Sequence, residues 1–205
     1  MLLPINPEHP EPRKVRRAVE TLIGGGVIAY PTGTVFGFGA DVFNKKAVEK
    51  VYEIKGEKKH KPFSFLCPDL SGIARYAHVP DAAYRIMRRL VPGPYTFILE
   101  ATREVPKLCL DRRKTVGIRV PEHPVAMAIL AELGRPIIST SAKLAGDEWI
   151  ENDPAEIAKR FKQLDLVLDA GLAGLDPSTV LKFSEDGKIE IIREGAGPIE
   201  ELMQK

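Results

Sequence analysis

Thr32 and Thr34 flank Gly33 directly after the apolar run 27–30, so two hydroxyls stand at the mouth of a short buried strand. Pro31 cannot donate to a sheet ladder, and Gly33 admits backbone angles closed to other residues, which ends that strand in a turn. Segment 55–61, Lys-Gly-Glu-Lys-Lys-His-Lys, is a dense basic loop. Its ammonium groups suit a triphosphate as point charges, or make a solvated surface loop. Thr115 and Arg119, in Thr-Val-Gly-Ile-Arg, lie four apart and so share one face of a strand, with Gly117 between them. An arginine on an apolar strand must be paired or ligand-bound, which leaves a structural carboxylate and a substrate carboxylate as the two choices. Ser139 and Ser141 face together in Ser-Thr-Ser, where backbone amides past the strand end add donors; local capping is the alternative. With Ser178 and Arg193 these clusters describe one pocket for anions and hydroxyls, with no nucleophile and no metal cage. Such a pocket suits phosphoryl or nucleotidyl transfer, in which positioning and charge neutralisation carry the catalysis. Magnesium then arrives with the nucleotide.

Other chemistries fit less well. His9, His60, His78 and His123 sit far apart, without metal-ligand spacing. Gly37-Phe-Gly39 lacks the third glycine and following helix of a dinucleotide fingerprint, and there is no Gly-Lys-Ser/Thr phosphate loop. Cys67 and Cys109 lie in apolar settings and read as packing residues in a reducing compartment. A formal charge of +2 argues against a polyanion-coating protein, so nucleic-acid contact would have to come from local patches. The absence of an apolar run near membrane-spanning length leads us to expect a soluble, cytoplasmic protein without membrane contact.

The elements that must position these residues follow from periodicity. Helices are expected over 13–23, from Asn44 to Lys55, over 80–90 with Arg85, Arg88 and Arg89 on a solvated edge, over 123–133, and after Asp153-Pro154. Strands are expected over 27–30, 63–67, 95–101, 115–120, 136–142, 164–169, 178–183 and 188–193, the last two joined by a hairpin turn at 184–187. Interleaved helices with a hairpin imply an α/β fold, a mixed twisted open sheet flanked by helices in one domain over 1–205.

Tyr-Pro-Thr-Gly-Thr-Val-Phe-Gly-Phe-Gly-Ala-Asp, the helix end Glu-Ile-Lys-Gly, Thr-Val-Gly-Ile-Arg-Val-Pro, Pro-Ile-Ile-Ser-Thr-Ser-Ala-Lys, Pro-Ser-Thr-Val and Arg-Glu-Gly-Ala-Gly, in that order, resemble the YrdC/YciO family over about residues 13–199. The resemblance implies a threonylcarbamoyl-AMP synthase-like nucleotidyltransferase. Its reaction joins L-threonine, bicarbonate and ATP, with Mg2+, into L-threonylcarbamoyladenylate and pyrophosphate for the t6A modification of tRNA. It places Thr34, Arg119, Ser139 and Ser178 on the threonine side. On the ATP side it places Lys55, Lys61, Thr115, Ser141, Lys143 and Arg193. Several positions depart from the synthase pattern: Glu57 stands where a Lys-x-Arg motif has arginine, Lys143 where asparagine is usual, and Leu66 where histidine is. Lys58, Lys59 and Lys143 are expected to restore the lost charge, and several phrases look closer to the YciO branch. The second reading is a double-stranded RNA or tRNA-binding protein of the same fold, using the basic loop, Arg85/Arg88/Arg89 and Arg112-Arg113-Lys114.

Overall fold

Side chains on successive strands point to opposite faces, so the alternation of apolar with small polar residues gives this chain a sheet with two unlike surfaces. The structure, a computed structural model, describes residues 1–57, 63–110, 112–184 and 188–203. Its strands are β1 (Leu2–Pro4), β2 (Ile28–Pro31), β3 (Phe36–Asp41), β4 (Ser64–Leu66), β5 (Ala77–His78), β6 (Tyr95–Ala101), β7 (Thr115–Arg119), β8 (Ile137–Ser141), β9 (Leu166–Asp169), β10 (Thr179–Phe183) and β11 (Ile189–Arg193). One open sheet joins them in the order β1-β9-β2-β3-β8-β4-β7-β6-β10-β11, with β5 on β6. Parallel pairs (β1–β9, β2–β9, β4–β7, β6–β10) occur together with antiparallel ones, so the sheet is mixed.

The helices are α1 (Pro12–Ile23), α2 (Lys45–Lys55), α3 (Asp81–Leu90), α4 (Pro124–Leu133), α5 (Pro154–Arg160) and α6 (Glu200–Met203). Asn44 caps α2 by accepting from the Ala47 amide, and Asp153 caps α5 from the Ala155 amide. On one face of the sheet, Phe38, Phe65, Phe97, Ile118, Ile138 and Leu181 are buried together. Val48 and Val51 of α2, Ala83 and Met87 of α3, and Ile157 of α5 cover them. On the other face, Ile28, Tyr30, Ile137, Leu166 and Leu168 lie under Ala18 and Leu22 of α1 and Val125 and Ile129 of α4. Beyond Ile137 that second face changes character. Ser139, Ser64, Gly117, Thr96 and Lys182 replace the apolar residues and line a cavity.

The stretch 1–12, in which Pro4, Pro7, Pro10 and Pro12 argue against regular structure, contains β1, which pairs in parallel with β9. An edge strand needs ladder bonds on one side only and tolerates Pro4, so its sequence carries little strand signal. Arg85, Arg88 and Arg89 are exposed on α3 as expected, on the side of the sheet away from the cavity. The β10–β11 hairpin forms, but its turn residues 185–187 and the basic stretch 58–62, including Lys58, Lys59, His60 and Lys61, lie outside the described residues. Among the described residues no helix is long and apolar enough to cross a membrane.

Candidate functional site

The cavity floor is a row of register partners running across five strands: Ser139 on β8, Ser64 on β4, Gly117 on β7, Ile98 on β6 and Lys182 on β10. Gly117 makes the middle of that row deep, because a Cβ there would come within 3.0 Å of Ser64 Oγ and 3.3 Å of Thr96 Cγ2. The enclosed volume is about 530 Å³, on the scale of a small-molecule site.

Arg119 closes one end. Its side chain is buried at 5% exposure, and its guanidinium donates from Nη1 to Thr34 Oγ1 at 2.8 Å and from Nη2 to the Thr32 carbonyl at 2.9 Å. Among the described residues Nε has no partner and no carboxylate lies within ion-pair distance of the group. Burial pulls its pKa down to about 10. The structural-carboxylate alternative left open by the sequence is therefore not what the fold provides: the hydrogen-bond partners of the guanidinium are neutral oxygens, and Glu122 acts on its charge from beyond ion-pair distance. Thr32 donates its hydroxyl proton to the Val35 carbonyl at 2.7 Å, so in the 3.1 Å pair with Thr34 it is Thr34 that donates. The turn is thus an ordered relay from Arg119 through Thr34 and Thr32 to the backbone. Gly33, at φ +89, supplies the bend, and a Cβ there would strike Glu122 Cγ at 2.9 Å.

The two glycines of Gly37-Phe-Gly39 have a purpose that no phosphate fingerprint would reveal. A Cβ on Gly39 would fall 2.6 Å from Tyr30 Cε1, so the bare backbone lets the Tyr30 ring lie across β3 and donate from Oη to Ser139 Oγ at 2.9 Å. Gly37 in the same way leaves room for Ser139 Oγ and Thr32 Cγ2, each 3.0 Å from its would-be Cβ. Burial raises the Tyr30 pKa, so the phenol stays a neutral donor that fixes Ser139.

At the opposite side, Arg193 Nη2 donates to the Ser178 carbonyl at 2.8 Å, and Ser178 Oγ lies 2.9 Å from Thr96 Oγ1. Thr179, wholly buried, anchors this corner. It donates to the Gly197 carbonyl at 2.7 Å and accepts from the Gly195 and Gly197 amides. A Cβ on Gly195 would meet the Pro177 carbonyl at 2.1 Å, which is why Arg-Glu-Gly-Ala-Gly needs its glycines there. Lys55, only 2% exposed, donates to the carbonyls of Ser141 and Lys143, both at 2.9 Å, and ties α2 to the strand end. Lys143 Nζ reaches the Asp147 carbonyl at 3.2 Å.

Of the residues singled out in sequence, Lys55, Thr115, Ser141, Lys143 and Arg193 line this one cavity together with Arg119, Ser139 and Ser178. Thr34 stands behind Arg119, and Lys61 lies outside the described residues. Sequence reasoning did not single out Thr96 or Lys182, and it placed Arg113 only in a basic patch for RNA, whereas it lines the cavity. The period-2 sets Ser178/Val180/Lys182 and Thr96/Ile98 carried the signal, since each puts polar and apolar residues on the cavity face. The sulfurs take no part: burial pushes the thiols of Cys67 and Cys109 up to about 12, where neither is a nucleophile at neutral pH. Among the described residues no group of three or more His, Cys, Asp or Glu side chains could hold a metal. The arrangement can clamp a carboxylate at Arg119, hold hydroxyls at Ser139 and Ser178, and neutralise phosphates from Lys55, Lys143 and Arg113. Ile98, Val180 and Ile192 offer an apolar wall for a base.

A family model, Sua5/YciO/YrdC, described as telomere recombination, matches residues 20–195. The chain is 40% identical over 201 residues to YciO of Escherichia coli (strain K12), covering 97% of each. The crystal structure of that protein superposes with a TM-score of 0.92 over 98% of both chains. Threonylcarbamoyl-AMP synthase of Chromobacterium violaceum is 34% identical over 185 residues, 89% of this chain and 95% of that one. The P. abyssi Sua5 structure complexed with L-threonine gives a TM-score of 0.90 at 28% identity, covering 98% of this chain and 59% of that one.

Proposed function

The chain belongs to the Sua5/YciO/YrdC family, and from that premise we propose that it is a nucleotidyltransferase making L-threonylcarbamoyladenylate from L-threonine, bicarbonate and ATP. The observation that carries the reading is Arg119: a buried guanidinium with an unpartnered Nε and no carboxylate of its own calls for an anionic ligand. An amino-acid carboxylate fits the size and charge of that need, and a Sua5 relative has been solved with L-threonine.

In the proposed reaction the threonine amine and bicarbonate give a carbamate with loss of water. A carbamate oxygen then attacks the α-phosphorus and pyrophosphate leaves, carrying the charge of the broken bond. The protein's part is placement and charge. Arg119, set by Thr34 and Thr32, holds the carboxylate. Ser139, fixed by Tyr30, and Ser178, set against Thr96, are the hydroxyl partners near the amino-acid side chain. Lys143, Arg113 and Lys55 face the phosphates, and the apolar wall receives the base. Mg2+ enters on the nucleotide and adds charge neutralisation.

The exposed Arg85, Arg88 and Arg89 offer a basic patch for duplex RNA, but α3 lies across the sheet from the cavity and would leave Arg119 unexplained. The test is pyrophosphate release by the purified protein. The reading expects release only when threonine and bicarbonate are both present, and its loss in Arg119→Ala; release independent of threonine, or none while tRNA binds with a steep salt dependence, contradicts it.

A further inference from the structure

Lys143 lies two residues past the end of β8 and leads into a tight turn, Leu144-Ala-Gly-Asp147. The Asp147 amide closes that turn on the Leu144 carbonyl at 3.3 Å, and Gly146 takes the positive φ, +90, that its third position needs. Asp147 is the hub. Its Oδ2 accepts from the Leu144 amide at 2.8 Å, its carbonyl accepts from Lys143 Nζ at 3.2 Å, and its two carboxylate oxygens accept from Arg160 Nη2 at 2.8 and 2.9 Å. Arg160 is the last residue of α5, which is anchored in the core through Ile157, and its guanidinium lies over the Phe161 ring at 5.4 Å and the Trp149 ring at 6.0 Å. From the other side the turn is tied to α2, because the Ala145 amide donates to the Lys55 carbonyl at 2.8 Å. Among the described residues Lys143 lines the cavity, and Asp147 and Arg160 do not.

Resting on the nucleotide reading above, we propose that Asp147, gripped by Arg160, is a positioning residue for the phosphate end of the site: it holds Lys143 at the cavity before the nucleotide arrives. The physical basis is preorganisation. A lysine is a compact charge on a flexible stem, so a phosphate that must first order it binds less tightly than one that meets it already held. An ammonium has three donors, and the Asp147 carbonyl takes one of them, which fixes the stem and leaves the charge facing the cavity. The Asp147 and Arg160 side chains are 14% and 29% exposed, so their pair is less open to water than an ordinary surface ion pair and better suited to hold a loop.

The test is a calorimetric titration of the full chain with ATP and Mg2+, and separately with L-threonine, for the native protein, Asp147→Ala, Arg160→Met, Lys143→Gln, and Asp147→Ala in the Lys143→Gln background. We expect Asp147→Ala and Arg160→Met each to weaken ATP by about five- to tenfold and to move threonine by less than about twofold. Once Lys143→Gln is in place, Asp147→Ala should change ATP affinity by less than about twofold, since its effect travels through the lysine. Asp147→Ala that leaves ATP unchanged overturns the proposal, as does an equal loss for ATP and threonine, which makes the turn a support of the whole fold. The same loss with and without Lys143 overturns it too, because Asp147 would then act by another route. If ATP does not bind the native protein, the nucleotide reading falls and this inference with it, whereas native binding that none of the variants alters removes the inference alone.

Discussion

Replacing Arg119 by methionine would separate the structural use of an arginine from a functional one. A buried cation without a carboxylate is costly to the fold, and its removal repays that cost. The loss of its bonds to Thr34 Oγ1 and the Thr32 carbonyl works the other way, at about 1–3 kcal/mol for buried acceptors left unsatisfied. The two effects offset, so Arg119→Met should hold its unfolding free energy within about 1 kcal/mol of native while L-threonine affinity falls by about 30–150-fold. A denaturant titration and a binding titration on the same preparation check this; large destabilisation with unchanged threonine binding would mean that the arginine serves the fold. The position of Arg119 was legible in sequence because an arginine four residues from a threonine on an apolar strand has few innocent explanations. That its Nε is unpartnered was not, since the nearest carboxylates are set by tertiary folding.

At the scale of elements, caps and glycines set the site's geometry, and the sequence revealed the first better than the second. Asn44, Asp153 and Gly134 act where local capping chemistry puts them, because a helix end is decided by a few neighbouring residues. Gly39 and Gly37 act through Tyr30, Thr32 and Ser139, contacts between strands that only the sheet order brings together, so the sequence showed the glycines without their reason. β1 was missed for a related cause: three residues at a sheet edge, one of them proline, gain their partner from β9, more than 160 residues along the chain. The cap on α4 carries a pH dependence. His123 Nδ1 accepts from the Val125 amide at 3.2 Å, and burial holds the imidazole below its ordinary pKa. A histidine whose folded pKa is depressed contributes its stability in the neutral form, so the contribution is present above about pH 6.5 and is lost as the pH falls below that value. Thermal melts across that range should show the native protein losing stability on acidification, and His123→Asn, whose amide caps without titrating, losing less. Parallel melting curves for the two would show that the cap does not depend on the imidazole's charge state.

For the whole molecule, the cavity exists because the helices on one sheet face stop short. α1 and α4 cover the β9–β2 half with apolar contacts, and the face then turns to serines, threonines, glycine and cations. The fold class was legible from interleaved helices and strands with one hairpin. The division of a face into a covered half and an open one was not, because it depends on which strands lie side by side. That division places the carboxylate clamp, the hydroxyls and the phosphate-side cations around a single hollow, which is the basis for assigning them one reaction. The central claim, that one cavity joins an amino-acid carbamate to AMP, is tested most directly by incubating the protein with ATP, L-threonine and 13C-bicarbonate and weighing the adenylate formed. The account predicts a threonine adduct of AMP that carries the heavy carbon; an unlabelled aminoacyl adenylate, or no adduct while ATP and threonine are both bound, would contradict it.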